Sequence, residues 1–126
     1  MEFHHIGIAT NDIEKTILFV EKTFPNIKNI TDIIYDDLQK ANLCLITLSD
    51  DSNIELVSGE QVSTFLKKNI HLYHSCWEVE NIQTTINKYI KAGSILISKP
   101  KEAVLFNNRK VAFLYTDIGI VELLEK

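Results

Sequence analysis

The strongest constraint on this chain is an internal repeat. HIGIATNDIEKTILFVEKTF, starting at His5, aligns with HSCWEVENIQTTINKYIKAG, starting at His74. At this offset of 69 residues His5 meets His74, Ile13 meets Ile82, Thr16 meets Thr85 and Ile17 meets Ile86. Self-similarity at a fixed spacing marks a duplicated supersecondary unit, so it decides the architecture before single residues are read. Both copies begin with a short strand pattern, pass through a polar Asn/Asp/Glu break and continue as a helix.

The helix expectation rests on apolar spacing. Ile13, Ile17 and Val20 make one stripe, and Ile82, Ile86, Tyr89 and Ile90 make its counterpart. Asn11 or Asp12 and Asn81 stand where an N-cap oxygen meets orphan backbone N–H groups, and Pro25 and Gly93 follow the helix ends. Three strand-like runs come next in each copy: NITDIIYD, ANLCLITL and SNIELVS, then SILIS, RKVAFLYT and GIVELLE. The sequence therefore predicts an α+β fold of two βαβββ modules in a single domain spanning 1–126. Module one covers about residues 3–58, a linker helix about 60–69, and module two about 71–126.

Each module opens on a histidine and closes on a glutamate: His5 and Glu55 in the first, His74 and Glu122 in the second. Side chains alternate across a strand, so neighbouring residues sort onto opposite faces. Ile6 and Ile8 oppose His5, Trp77 opposes His74, Ile54 and Leu56 oppose Glu55, and Val121 and Leu123 oppose Glu122. The apolar sets fit beneath the helices, which leaves the two histidines and two glutamates on the other face. His4 shares the pleat of Ile6 and Ile8 and reads as scaffold. Two neutral imidazoles and two carboxylates suit one divalent ion, Ni²⁺, Co²⁺, Zn²⁺, Fe²⁺ or Mn²⁺. Cys76 lies two residues beyond His74 on the same face and reads as a lining residue rather than a ligand.

Composition excludes several classes. A net charge of −4 without basic clusters gives nucleic acid no electrostatic footprint. The two cysteines, Cys44 and Cys76, sit in apolar runs, which predicts reduced thiols rather than a disulfide framework. The opening MEFHHIG lacks the features of a signal peptide, and no apolar run has bilayer-spanning length. These observations lead to the expectation of a cytoplasmic protein.

FHHIGIATNDIE, IELVS, YHSCWEVENI and GIVELLE together resemble the vicinal oxygen chelate superfamily, which includes glyoxalase I, methylmalonyl-CoA epimerases, extradiol dioxygenases and bleomycin-resistance proteins. The likeness spans nearly the whole chain and is strongest to the epimerases. It implies a glyoxalase-like fold, with a curled mixed sheet around a metal-centred cavity. It also implies His5, Glu55, His74 and Glu122 as ligands, the four already singled out by periodicity. The activity implied is a 1,2-proton transfer on a small substrate chelated through neighbouring oxygens. Glu122 or Glu55 would act as the base. Epimerisation of an acyl-CoA comes first, and a lyase step on a glutathione adduct is the alternative. A dioxygenase needs three protein ligands, so the fourth, Glu55, argues against it; a metal-free binding or resistance protein is the other rival. Alternation along the strands offers Arg109, Phe106, Tyr115, Cys76, Asn42 and Tyr35 as substrate contacts, and the resemblance implies a homodimer. The third strand of the first module, ANLCLITL, carries no acid where some epimerases have a second carboxylate.

Overall fold

In the computed structural model, which describes residues 1–37 and 39–126, the described residues form nine strands and three α-helices. They run β1 (Glu2–Ala9), α1 (Ile13–Thr23), β2 (Asn29–Ile30), β3 (Ile34–Asp36), β4 (Ala41–Thr47) and β5 (Asn53–Gly59). They continue with α2 (Ser63–Lys67), β6 (Leu72–Val79), α3 (Ile82–Lys91), β7 (Ile95–Ala103), β8 (Arg109–Thr116) and β9 (Gly119–Glu125). The α+β class and the duplicated order expected from the sequence are present. The chain divides into two compact units, one of residues 5–73 and the other of residues 1–4 with 74–126.

Within the first unit, β1 pairs with β5 in parallel, β5 with β4 antiparallel, and β4 carries both β2 and β3 on its outer edge. Helix α1 starts at Asp12, whose carboxylate accepts the Lys15 N–H at 3.1 Å, so the second of the two candidate caps is used. Ile13 and Val20 on that helix bury against Cys44, Ile46 and Leu56, with Ile8, Ile17 and Ile54 at the margin. The single strand expected over NITDIIYD is two short ones, broken at residues 31–33. At the break the Thr31 hydroxyl accepts the Leu45 N–H at 2.9 Å, and Thr31 also donates its own N–H to the Leu45 carbonyl at 3.0 Å. A short 3-10 turn at Glu60–Val62 leads into α2, which ends at Lys67.

The second unit repeats the plan. Strands β6 and β9 pair in parallel, and β8 pairs antiparallel with both β9 and β7. Asn81 caps α3 by accepting the Thr84 N–H at 2.9 Å, and Glu125 Oε2 accepts the Ile82 N–H at 2.9 Å beside it. Ile82 and Ile86 pack on Val79, Ala112, Leu114, Val121 and Leu123. Strand β7 runs five residues past the predicted SILIS, through Lys99, Pro100 and Lys101 to Ala103. Within this unit β7 is paired on one side only, where a proline costs no ladder hydrogen bond, and its register against β8 shifts twice around that stretch.

Candidate functional site

Each unit brings one histidine and one glutamate together, inside its own strands. In the first unit β1 and β5 lie parallel, with Gly7 opposite Glu55 and Asn53 opposite His5. Ile8 and Leu56 point to α1, so His5 and Glu55 take the other face by alternation. His5 Nε2 lies 3.6 Å from Glu55 Oε1, with the side chains 0% and 5% exposed. The neighbours of Glu55 on that face are Gly7 on one side and Leu45 on the other, so the carboxylate is bounded by a residue with no side chain and by an aliphatic one.

The second unit is built alike and packed more tightly. His74 Nε2 lies 3.2 Å from Glu122 Oε1, with the side chains 0% and 1% exposed. Glu122 is flanked by Cys76 on β6 and Phe113 on β8. The Phe113 ring also stands edge-on to the His74 imidazole at 5.4 Å. Phe113 was absent from the residues picked out of the sequence. The signal for it was available, since Phe113 alternates with Ala112 and Leu114, which belong to the helix side.

Burying an imidazole and a carboxylate together away from water is costly unless each finds charge and hydrogen-bond compensation. One nitrogen and one oxygen donor at each pair suit a borderline divalent ion, and neither pair offers a thiolate in its place. Cys76 is fully buried beside Glu122.

The remaining candidates scatter. Phe106 is buried in a 3-10 turn at Val104–Phe106, its ring edge-on to His4 at 5.3 Å. Tyr115 shares the alternation of Phe113 and is half exposed, opposite Ile120 and Ile95. Asn42 lies on the helix side of β4: it alternates with Cys44 and Ile46, which pack under α1, and it borders a surface cleft with Asn11, Asp12, Ile33 and Ser58. It therefore does not share the face of Glu55. Tyr35, opposite it on β3, is exposed. The Arg109 guanidinium is engaged by the protein itself, with Nη2 2.5 Å from Glu78 Oε2 and Nε donating to the Glu125 carbonyl at 2.8 Å. Partial burial would raise the Glu78 carboxyl, but the Arg109 hydrogen bond and the positive charges of His4, Arg109 and Lys126 outweigh it and hold the carboxyl below its ordinary value.

Comparison with known proteins adds three findings. The sequence model of the glyoxalase/bleomycin resistance protein/dioxygenase superfamily matches residues 4–113. A search of curated proteins returned no match. Among solved structures, a hypothetical protein from Bacillus halodurans C-125 superposes with a TM-score of 0.83 at 22% identity, over 99% of this chain and 94% of its own. Methylmalonyl-CoA epimerase from Mycobacterium tuberculosis gives 0.83 at 16% identity, over 98% and 87%. A variant of the Streptomyces coelicolor epimerase, in complex with 2-nitronate-propionyl-CoA, gives 0.80 at 17% identity, over 100% and 97%. Likeness at these identities establishes a shared fold.

Proposed function

From the premise that the chain belongs to the glyoxalase/bleomycin resistance protein/dioxygenase superfamily, we propose that it is a divalent-metal-dependent enzyme that removes and returns a proton beside a carbonyl. The substrate is a small acyl thioester or a similar compound with neighbouring oxygens, and the reaction is epimerase-like. The observation that carries this reading is the buried His–Glu pair present once in each module, His5 with Glu55 and His74 with Glu122. The repeat makes the pairs equivalent, and in the proposal all four side chains hold one ion.

Bound there, a divalent ion would supply Lewis acidity to substrate oxygens and lower the cost of removing the adjacent proton. The chain's own groups do the rest. His5 and His74 supply neutral nitrogen donors. Glu122 or Glu55 would take the α-proton on a carboxylate oxygen, and a proton returned by the other glutamate to the opposite face of the enolate would complete the epimerisation. On the Glu55 side the pleat of β4 presents Leu43, Leu45 and Thr47, so no acid from that strand competes for the role. Leu45, Phe113 and Cys76 border the carboxylates and exclude water, which strengthens the electrostatics acting on a developing enolate. The choice of an acyl thioester rests on the epimerases' shared fold and on the complex of one of them with a propionyl-CoA analogue.

The test is α-deuterium wash-in with methylmalonyl-CoA in D₂O, with and without Co²⁺ or Ni²⁺. Exchange that needs the metal and falls at least about 100-fold in Glu122→Gln is expected. Turnover of a glutathione hemithioacetal without exchange would reassign the substrate class to the lyase type. A chain that takes up no divalent metal would leave a metal-free binding protein of the same fold.

A further inference from the structure

The ladder around Glu122 ends in an ion pair that the proton-transfer proposal does not use. Across β6, β9 and β8 one row of the non-helix face reads Cys76, Glu122, Phe113, and the next reads Glu78, Leu124, Val111. Arg109 stands one pleat repeat before Val111, at the start of β8. Its guanidinium crosses to Glu78 on β6 and donates to the Glu125 carbonyl on β9, so a single side chain ties all three strands. Leu124 and Val111, which share the row of Glu78 next to that of Glu122, are fully buried.

We infer that Arg109 is a positioning residue for Glu122: with Glu78 it straps β8 and β9 to β6 and fixes where the carboxylate stands beside His74. The functional consequence rests on the metal reading, whereas the mechanical one does not. The register of the parallel β6–β9 pair decides whether His74 and Glu122 meet, and a parallel pair has no tight turn to set it. The strap sits at the end of that pair where β9 runs out at Glu125, opposite Val79 on β6. The planar fork of arginine serves two acceptors at once, a carboxylate and a carbonyl, which a lysine ammonium does with less directional control. Groups that orient a metal ligand typically change affinity by 10–100-fold when removed.

The experiment compares the parent with Arg109→Met, Arg109→Lys and Lys110→Met, the last being an exposed neighbour of the same charge. Amide hydrogen exchange on the metal-free proteins reads the mechanical part. Arg109→Met is expected to speed exchange in β9 about 10-fold relative to β4 and β5, with Lys110→Met at parent rates. Ni²⁺ titration reads the functional part: about 10-fold weaker binding in Arg109→Met, partly restored in Arg109→Lys, at unchanged stoichiometry. Unchanged β9 exchange together with parent-like Ni²⁺ affinity in Arg109→Met would overturn the inference. If β9 exchange rises while Ni²⁺ affinity holds within two-fold, the strap is structural only, which also overturns it. If the parent itself binds no Ni²⁺, the metal reading fails, and β9 exchange alone decides whether Arg109 positions the strand.

Discussion

Leu123 and Glu122 are neighbours in β9 whose side chains leave the sheet on opposite sides, so exchanging one and then the other separates stability from chemistry. Leu123 is fully buried between α3 and the sheet, with Ile86, Ala112 and Leu114 in the same cluster. Truncating it to alanine removes apolar contacts and leaves a cavity that a helix packed on a sheet fills poorly. The expected cost is about 3 kcal/mol, from the usual range for buried leucines. At a urea dependence of about 1.5 kcal/mol per M, the unfolding midpoint falls by about 2 M. Glu122→Gln keeps the shape and most of the hydrogen-bonding capacity, and its cost in the metal-free protein is about 1 kcal/mol or less. The assay is urea denaturation followed by Trp77 fluorescence, paired with Ni²⁺ titration. Leu123→Ala should lose stability and keep its metal affinity in the folded fraction; Glu122→Gln should do the reverse. Equal stability losses, or a Leu123 variant that unfolds like the parent, would refute the assignment of faces on which the account depends.

Other outcomes follow from single contacts. Arg109 holds the Glu78 carboxyl below its ordinary value, so this pair adds stability that is present above the unfolded-state value, about 4.3, and lost as pH falls through the folded one. The parent should therefore lose its stability advantage over Glu78→Gln as pH drops from 6 to 3, measured by thermal unfolding; a constant gap would contradict the pairing. Asn81→Ala removes the α3 cap and should cost about 1 kcal/mol, while Asn81→Ser should recover most of it. Gly59 has φ +157, and an added Cβ would lie 2.9 Å from the Lys40 carbonyl oxygen and 3.1 Å from the Ala41 Cα. Both obstacles are backbone, so Gly59→Ala should cost about 2 kcal/mol in urea unfolding.

Much of the fold was legible because the repeat spoke twice. Asp12 and Asn81 cap their helices, and the stripes led by Ile13 and Ile82 bury as the spacing required. The faces of His5, Glu55, His74 and Glu122 followed from the pleat. What escaped depended on partners that periodicity does not name. Lys99-Pro100-Lys101 reads as a break until β7 is seen, among the described residues, to pair only with β8. NITDIIYD has the composition of one strand, and Thr31 interrupts it through bonds to Leu45, fourteen residues on. Asn42 was offered by alternation as a substrate contact, but the pleat it shares with Cys44 and Ile46 sends it to the α1 side, away from Glu55. Arg109 looked available for an anion because its partner Glu78 lies 31 residues away in another strand.

The central claim is that two equivalent His–Glu pairs, one from each module, hold a single ion. Isothermal titration with Ni²⁺ of the parent, His5→Ala and His74→Ala tests it most directly. The account predicts one ion per chain in the parent and at least about 100-fold weaker binding in each variant, because each removes a ligand of the same ion. A stoichiometry of two, or full affinity surviving in either variant, would show that the pairs act separately and would contradict the claim.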